Sequence, residues 1–265
     1  MNPGNIPILM YHEIYGPGER LRLKGLTNPA YNLQADAFER QMAWLVENGI
    51  KALTIEDLVS GKPVNDGPAV CLTFDDGWKG NSLHAGPALA RHGLRATFFV
   101  AAGLIGRENY MTWDDLARMQ SCGMSVQSHA LTHRPLAAMG KQDLLNELRE
   151  SKTMIEDRLS VPVCHLSLPH GQKEERIWEL AREIGYRSIC TSDVGFYVPG
   201  SRGPWLKRIS VGDGMPESLF CRVALGEGEA LRKIAAVKGF KNALKKAVGF
   251  KTYRWFYRLL YGTRW

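Results

Sequence analysis

Residues 69–77 read Ala-Val-Cys-Leu-Thr-Phe-Asp-Asp-Gly, an apolar run that ends in two adjacent carboxylates and a glycine. A continuous apolar run of this length is typical of a strand that is buried on both faces, as in a parallel sheet. A helical pattern follows up to Gly93, and residues 95–100 form the next apolar run. The stretch therefore predicts a β-α-β unit of a parallel sheet, with acidic residues at the end of its first strand.

The same alternation of apolar runs and helical patterns extends in both directions along the chain. Further strands are predicted at residues 7–11, 124–128, 163–168 and 187–191, with helices near 38–48, 112–122, 144–159 and 177–184. Because this many units fit into about 220 residues, we expect the strands to close into an α/β barrel rather than to form an open sheet.

The composition is that of a globular protein. Of the 265 residues, 45% are hydrophobic and 23% are charged, which excludes a disordered or fibrous chain. No apolar run reaches the ~20 residues of a membrane-spanning helix, and the first residues predict no signal peptide. The five cysteines are odd in number and form no Cys-x-x-Cys pair. We therefore expect free thiols in a reducing compartment and a cytoplasmic location.

Basic residues are concentrated towards the C-terminal end. Residues 230–265 hold ten of the 34 Lys and Arg residues and none of the 27 Asp and Glu residues, so we predict a domain over 1–229 and a basic tail over 230–265. On a helical wheel of residues 251–261, one side carries Lys251, Arg254 and Arg258, and the other carries Trp255, Phe256, Leu259 and Leu260. This pattern is typical of a helix that lies in a membrane interface. Packing against the domain or a second subunit is the alternative, and nucleic acid is disfavoured because half of the surface is apolar.

Three polar clusters directly follow predicted strands. They are Asp75-Asp76-Gly77, the run His-Ala-Leu-Thr-His at residues 129–133, and Pro169-His170-Gly171. Since the carboxyl ends of parallel strands meet at the same end of a barrel, we expect the three clusters to meet there.

The second cluster places His129 and His133 four residues apart, so a helical or turn conformation directs both imidazoles towards one metal ion. A catalytic zinc site uses three protein ligands and leaves one position open. Asp75 or Asp76 could supply the third ligand while its neighbour acts as a general base towards water. The alternative is a simple turn and two capping histidines. The combination favours the metal site, which would also suit other divalent metals.

These segments resemble a known family. Residues 73–77 (Thr-Phe-Asp-Asp-Gly), 128–133 (Ser-His-Ala-Leu-Thr-His) and 168–171 (Leu-Pro-His-Gly) are similar, in the same order, to the first three motifs of the polysaccharide deacetylases, the NodB-homology carbohydrate esterases. Residues 9–12 (Leu-Met-Tyr-His) resemble the branch that contains biofilm exopolysaccharide N-deacetylases. The resemblance implies an α/β fold, a distorted (β/α)7 barrel.

The resemblance also implies a role for each matching residue. Asp76, His129 and His133 would bind the metal, zinc or another divalent ion, and Asp75 would be the catalytic base. The backbone N–H of His170, together with the metal, would stabilise the oxyanion. The implied reaction removes an N-acetyl or other small N-acyl group from a sugar in a polysaccharide, glycolipid or lipid-linked precursor.

Two departures from the family's pattern require further candidates. The third motif usually carries an arginine before its proline, which this chain lacks. Arg208 is the candidate partner for Asp75, and a solvated or structural arginine is the alternative. The family's C-terminal catalytic histidine is absent too, because all seven histidines lie at or before His170. His12 is therefore the first candidate for the general acid, with a buried structural histidine as the alternative, and His170 is the second candidate.

Two functions are consistent with this pattern. We expect a zinc-dependent N-deacetylase at the cytoplasmic face of a membrane, with its tail on the anionic surface and an acetylated glycan or lipid-linked sugar as substrate. The missing motif residues suggest the alternative, an inactive glycan-binding or membrane-tethered protein of the same fold. The complete set of predicted metal ligands, together with Asp75, favours the enzyme.

Overall fold

A parallel sheet covered by helices forms the body of the protein, in a computed structural model that describes residues 4–21, 23, 26–60, 67–201 and 203–248. The strands are β1 (Ile6–Tyr11), β2 (Ile14–Tyr15), β3 (Leu33–Gln34), β4 (Lys51–Leu53), β5 (Ala69–Phe74), β6 (Thr97–Val100), β7 (Ser125–Ser128), β8 (His165–Ser167), β9 (Ser188–Cys190), β10 (Phe196–Tyr197), β11 (Trp205–Leu206) and β12 (Ile209–Ser210). The helices are α1 (Ala35–Glu47), α2 (Ile55–Val59), α3 (Gly86–Arg91), α4 (Trp113–Ser121), α5 (Lys141–Leu159), α6 (Glu175–Ile184), α7 (Glu217–Ala224) and α8 (Gly228–Val248).

The strands follow one another round a nearly closed barrel. β1, β5, β6, β7, β8 and β9 pair in this order, and each of these pairs is parallel. The segment from β11 to β12 completes the circle, because β11 pairs with β9 and β12 pairs with β1. This last strand is broken at Lys207 and Arg208, which lie between its two halves. The predicted α/β barrel, a distorted (β/α)7 arrangement, is confirmed.

Alternate strand residues face two different apolar layers, as the pleat of a strand requires. The layer inside the barrel contains Ile8, Cys71, Phe99, Cys190 and Leu206. The layer between the strands and the outer helices contains Leu9, Val70, Leu72, Val126 and Ile189. Both faces of the strands are therefore buried, which explains the continuous apolar runs in the sequence.

Helix α2 closes one end of the barrel. Its residues Ile55 and Leu58 pack into the inner layer. The N–H of Ile55 donates to Thr97 Oγ1 at 2.9 Å, at the start of β6, and Glu56 contacts His165, the first residue of β8, at 2.8 Å. Because these are the amino ends of the strands, the opposite end, where the strands finish, is the one available for a site.

Helix α8 crosses the predicted boundary between residues 229 and 230. Ala230 is fully buried and Ile234 packs against the body, whereas Val237 and Phe240 are 56% and 70% exposed. Lys238 Nζ donates to the carbonyl of Ser192. The first part of the predicted tail therefore packs against the barrel, and the amphipathic stretch 251–261 lies outside the described residues. Among the helices described, none is both long enough and apolar enough to cross a bilayer.

Candidate active site

Three of the predicted site residues converge at the carboxyl ends of β5 and β7. Asp76 Oδ1 lies 3.2 Å from His129 Nε2 and 3.0 Å from His133 Nε2. The three candidate ligand atoms all lie within 4.8 Å of one another, and Asp76 and His129 are buried. The barrel thus brings together side chains that are more than 50 positions apart along the chain.

This group fits a divalent metal. Asp76 Oδ1 is buried and has no hydrogen bond of good geometry, although two imidazole nitrogens face it at 3.0 and 3.2 Å. The other carboxylate oxygen accepts a hydrogen bond of 2.7 Å from Trp78 Nε1, and His129 Nδ1 lies 2.9 Å from the carbonyl of Ser167. A carbonyl only accepts, so Nδ1 carries a proton, and Nε2 is the nitrogen that can give up its proton and bind a metal. One carboxylate and two imidazoles are a donor set for zinc and similar ions.

The electrostatics of Asp76 agree with this geometry. Burial alone would raise its pKa, but without a metal the imidazoles of His129 and His133 act as hydrogen-bond donors to Oδ1, outweigh that effect and hold the pKa well below its usual range. The carboxylate is therefore ionised, which is the form that ligates a metal.

Asp75, the predicted base, makes a bidentate ion pair with Arg208. The guanidinium donates to Oδ1 at 2.7 Å and to Oδ2 at 2.6 Å. Ser167 lies between them: its hydroxyl donates to Asp75 Oδ2 at 3.1 Å and accepts from Arg208 at 2.8 Å. Burial would raise the pKa of Asp75, but Arg208 and then His129 lower it below the ordinary value. Arg208 is 1% exposed, so the solvated alternative for this residue is wrong.

The break between β11 and β12 positions this arginine. Its backbone N–H donates to the carbonyl of Asp193 at 2.8 Å, and its Nε donates to the carbonyl of Thr191 at 3.0 Å. These bonds turn the side chain into the barrel, where it reaches Asp75. Arg208 therefore forms the ion pair with Asp75 for which the sequence analysis named it as a candidate.

Both candidates for the general acid lie beside the three candidate metal ligands Asp76, His129 and His133, which we call the triad. The His12 ring stacks on Tyr31, with centroids 4.6 Å apart, and its buried Nδ1 has no hydrogen-bond partner. Burial lowers the pKa of His12, while the nearby carboxylates of Asp76 and Asp75 oppose this shift. The ring of His170 is only partly buried and lies 5.0 Å from that of His133; this partial burial, and then His133, lowers its pKa. The choice between His12 and His170 stays a prediction.

Backbone strain is concentrated at this site. Four of the six non-glycine residues with positive φ in the described ranges are Asp76 (75°), Ala130 (61°), His133 (61°) and His170 (60°). Such angles are uncommon outside glycine, and they persist where surrounding contacts impose them. The strands and helices around the site therefore hold these loops in conformations that the loops would not adopt alone.

Comparison with known proteins identifies the family. Residues 62–189 match the family model described as polysaccharide deacetylase. YxkH of Bacillus subtilis (strain 168), itself assigned to the polysaccharide deacetylases, is 30% identical over 222 residues, which cover 82% of this chain and 75% of YxkH. The chain belongs to the polysaccharide deacetylase family. Its members are hydrolases that deacetylate glycans, so the resemblance inferred from the three motifs is confirmed.

Further similarities agree with this membership. A Staphylococcus aureus (strain MRSA252) poly-β-1,6-N-acetyl-D-glucosamine N-deacetylase is 22% identical over 208 residues, which cover 72% of each chain. The Streptococcus pyogenes deacetylase PplD, solved in complex with acetate, superposes with a TM-score of 0.74 at 24% identity over 84% of this chain and 99% of PplD. IcaB from Ammonifex degensii gives a TM-score of 0.69 at 22% identity, over 83% and 96% of the two chains. The two structures show that the fold is shared.

Several residues at this deacetylase's site escaped the sequence analysis. Ser167, which bridges Asp75 and Arg208, occupies the position two residues before Pro169, so its place in the third motif was the available signal. Trp78, which donates to Asp76, follows the Asp-Asp-Gly run directly and stacks on Tyr110 with centroids 4.6 Å apart. Burial, and then Asp76, raises the pKa of Tyr110 to about 12.

Proposed function

We propose that this protein is a zinc-dependent N-deacetylase that removes an acetyl group from an N-acetylated sugar of a glycan. The observation that carries the proposal is the pair of adjacent carboxylates with different partners. Asp76 Oδ1 faces two imidazole nitrogens at 3.0 and 3.2 Å, and Asp75 is held by a buried arginine. The carboxylate of Asp76 is thereby suited to bind a metal, and that of Asp75 is suited to accept a proton.

Each residue of the site contributes a separate function. Asp76, His129 and His133 would hold the ion, which when bound would supply a Lewis acid that polarises the acetamide carbonyl. Asp75 accepts a proton from the attacking water, and Arg208 keeps its carboxylate ionised and oriented. His12 donates a proton to the leaving amine, with His170 as the second candidate. The backbone N–H of His170 donates to the developing oxyanion.

The nature of the substrate is supported by the Staphylococcus aureus relative, whose name specifies a β-1,6-linked polymer of N-acetylglucosamine. We therefore expect N-acetylhexosamine units, in a polymer or in a lipid-linked precursor. Two aromatic pairs, His12 with Tyr31 and Trp78 with Tyr110, flank the triad. Aromatic faces of this kind suit the apolar side of a sugar ring.

The inactive alternative is weakened by the ion pair of Asp75. It rested on the arginine missing from the third motif, and Arg208 supplies that cation from another strand. A glycan-binding protein without activity would have no use for a buried carboxylate held ionised next to three potential metal ligands.

Acetate release tests the proposal directly. Oligomers of N-acetylglucosamine are incubated with the protein as purified, after chelation, and after chelation followed by added Zn²⁺. We expect release that chelation abolishes and zinc restores, and its loss in Asp75→Asn. Release that survives chelation contradicts the metal dependence, and no release from any acetylated glycan favours the inactive alternative.

The place of action that we propose is the cytoplasmic face of an anionic membrane. The support is the ten cations and absent anions of residues 230–265, together with the exposed Val237 and Phe240 on α8. Each cation near such a surface contributes about 1 kcal/mol before screening. A chain shortened after Val248 keeps the buried Ala230 and the partly buried Ile234 but lacks four of the ten cations and the amphipathic stretch 251–261. We expect it to bind anionic vesicles more weakly while keeping hydrolysis of a small substrate. Equal affinity of both chains for anionic and neutral vesicles contradicts the proposal.

A further inference from the structure

The two candidate metal ligands from β7 lie on a short segment, residues 129–133, which we call the ligand loop. Its φ angles at Ala130 and His133 are both 61°, so the loop departs from an ordinary extended or helical path. A loop of this kind exposes backbone N–H groups that no regular ladder satisfies. The partners of those N–H groups therefore decide where the two imidazoles lie.

Glu147 of α5 supplies most of these partners. Its Oε2 accepts from the N–H of Leu131 at 3.0 Å and from the N–H of Thr132 at 2.9 Å. Its Oε1 accepts from the hydroxyl of Thr132 and, at 3.3 Å, from Arg134. The residue is 3% exposed and sits between Leu144 and Leu148, which are fully buried in the core. Its carboxylate is therefore fixed to a rigid helix and turned towards the loop.

A second contact of the same helix holds the start of the loop. Ser151, one turn after Glu147, has its hydroxyl 2.8 Å from that of Ser128, which accepts from the N–H of Ala130 at 3.1 Å. On the other side, the N–H groups of residues 102 and 103 donate to the carbonyls of Ala130 at 3.1 Å and Leu131 at 2.9 Å. The backbone between the two histidines is thus held from both sides.

We propose that Glu147 is a positioning residue of the metal centre, which holds the ligand loop so that His129 and His133 face Asp76 before any metal arrives. Removal of its carboxylate would leave two N–H groups without acceptors, and the loop would relax from its positive φ angles. The spacing of the two imidazoles would then no longer be fixed. The inference rests on the proposed function only in that the triad binds a metal.

Direct titration of the metal-free protein with Zn²⁺, in competition with a chromophoric chelator, measures this effect without any substrate. Outer partners of metal ligands typically contribute 10–100-fold to metal affinity, and we expect a loss of about this size in Glu147→Ala. Glu150→Ala on the exposed face of the same helix is the matched control and should bind zinc as the unaltered protein does.

Two further variants separate position from charge. In Glu147→Gln the amide oxygen still accepts both backbone N–H groups at the original distance, so zinc affinity should be largely retained. Glu147→Asp keeps the charge but withdraws the carboxylate by one methylene, so affinity should fall. A tighter affinity in Glu147→Asp than in Glu147→Gln would mean that Glu147 acts through its charge, which overturns the proposal.

A structural role alone gives a different result. If Glu147→Ala melts at a lower temperature but binds zinc as tightly as the unaltered protein while folded, the proposal is wrong. Should Glu147→Ala fail to fold, the order of affinities in the Gln and Asp variants decides in its place. If the unaltered protein binds no zinc, both this inference and the proposed metal dependence are overturned, whereas equal binding by all variants overturns the inference alone.

Discussion

Replacement of Arg208 by methionine tests the ion pair on which the proposed base depends. The Arg208 and Asp75 side chains are 0% and 3% exposed, so the substitution leaves a carboxylate buried without its cation. It also removes the hydrogen bonds of the guanidinium to the carbonyl of Thr191 and to Ser167. Removal of one partner of a buried pair costs about 3–5 kcal/mol, because the other charge is left uncompensated.

Thermal unfolding measures this loss. A change of 1 kcal/mol lowers the midpoint by roughly 2–4 °C in a chain of this size, so the midpoint of Arg208→Met should fall by about 6–20 °C. Arg91→Met is the matched control: Arg91 pairs with Glu39 on the surface, with side chains 61% and 38% exposed, and such pairs contribute about 0–1 kcal/mol. The double variant Arg208→Met with Asp75→Leu removes both charges and should be more stable than Arg208→Met alone.

Activity provides the second measurement. Without its cation, the carboxylate of Asp75 is less readily ionised, and hydrolysis should fall by about the 10²–10⁴-fold that a general base contributes. Equal losses of stability in Arg208→Met and Arg91→Met would refute the reasoning about burial. Undiminished hydrolysis in folded Arg208→Met would refute the role of the ion pair in catalysis.

Three other predictions concern the site and the closed end of the barrel. Asp76→Asn should lose zinc, whereas Asp75→Asn should keep zinc and lose hydrolysis; retained hydrolysis in the second variant would exclude Asp75 as the base. His12→Gln should lose amide hydrolysis by about 10²–10⁴-fold but cleave 4-nitrophenyl acetate nearly as well as the unaltered protein, because that leaving group needs no proton; equal losses on both substrates would transfer the acid role away from His12. Burial lowers the pKa of His165 below its value in the unfolded chain, although Glu56 opposes this shift. As the pH drops below about 6.5 the unfolded chain therefore takes up the proton first, and the free energy of unfolding falls. In urea titrations at several pH values His165→Gln should show a smaller fall of this free energy with pH, and an unchanged fall would contradict the prediction.

The main features of the site were predictable from the sequence for a simple physical reason. Strands buried on both faces give long apolar runs, and the residues that follow such runs must gather at one end of the barrel. Asp75, Asp76 and His129 each follow a run of this kind, so their proximity required no knowledge of the tertiary structure. Arg208 was predicted from the family resemblance, because the arginine usual in the third motif is missing here and Asp75 would otherwise lack its cationic partner.

Three other features of the structure leave no pattern in the sequence from which they could be predicted. β11 and β12 have two residues each, too few for an alternation to appear, so the way in which the barrel closes was not predicted. Glu147 lies within a helix whose other acidic residues are mostly exposed, and only the loop that packs on it distinguishes it from them. The boundary proposed at residue 229 was based on charge alone. The helix α8 begins at Gly228, and the apolar side of its first turns packs against the barrel and buries Ala230.

The residues predicted to compensate for the two departures from the family's pattern, Arg208 and His12, both lie near the place where the barrel closes. β12 pairs with β1, and β1 pairs with β5, so β1 separates the closing strand from the strand that ends at Asp75. A side chain that enters the barrel just before β12 reaches Asp75 across β1, as Arg208 does. A side chain directly after β1 lies close to the carboxylates of Asp75 and Asp76, as that of His12 does. Arg208 is separated from β5 by one strand, and His12 follows the strand that pairs with β5, so both side chains lie near Asp75 on the β1 side of the barrel.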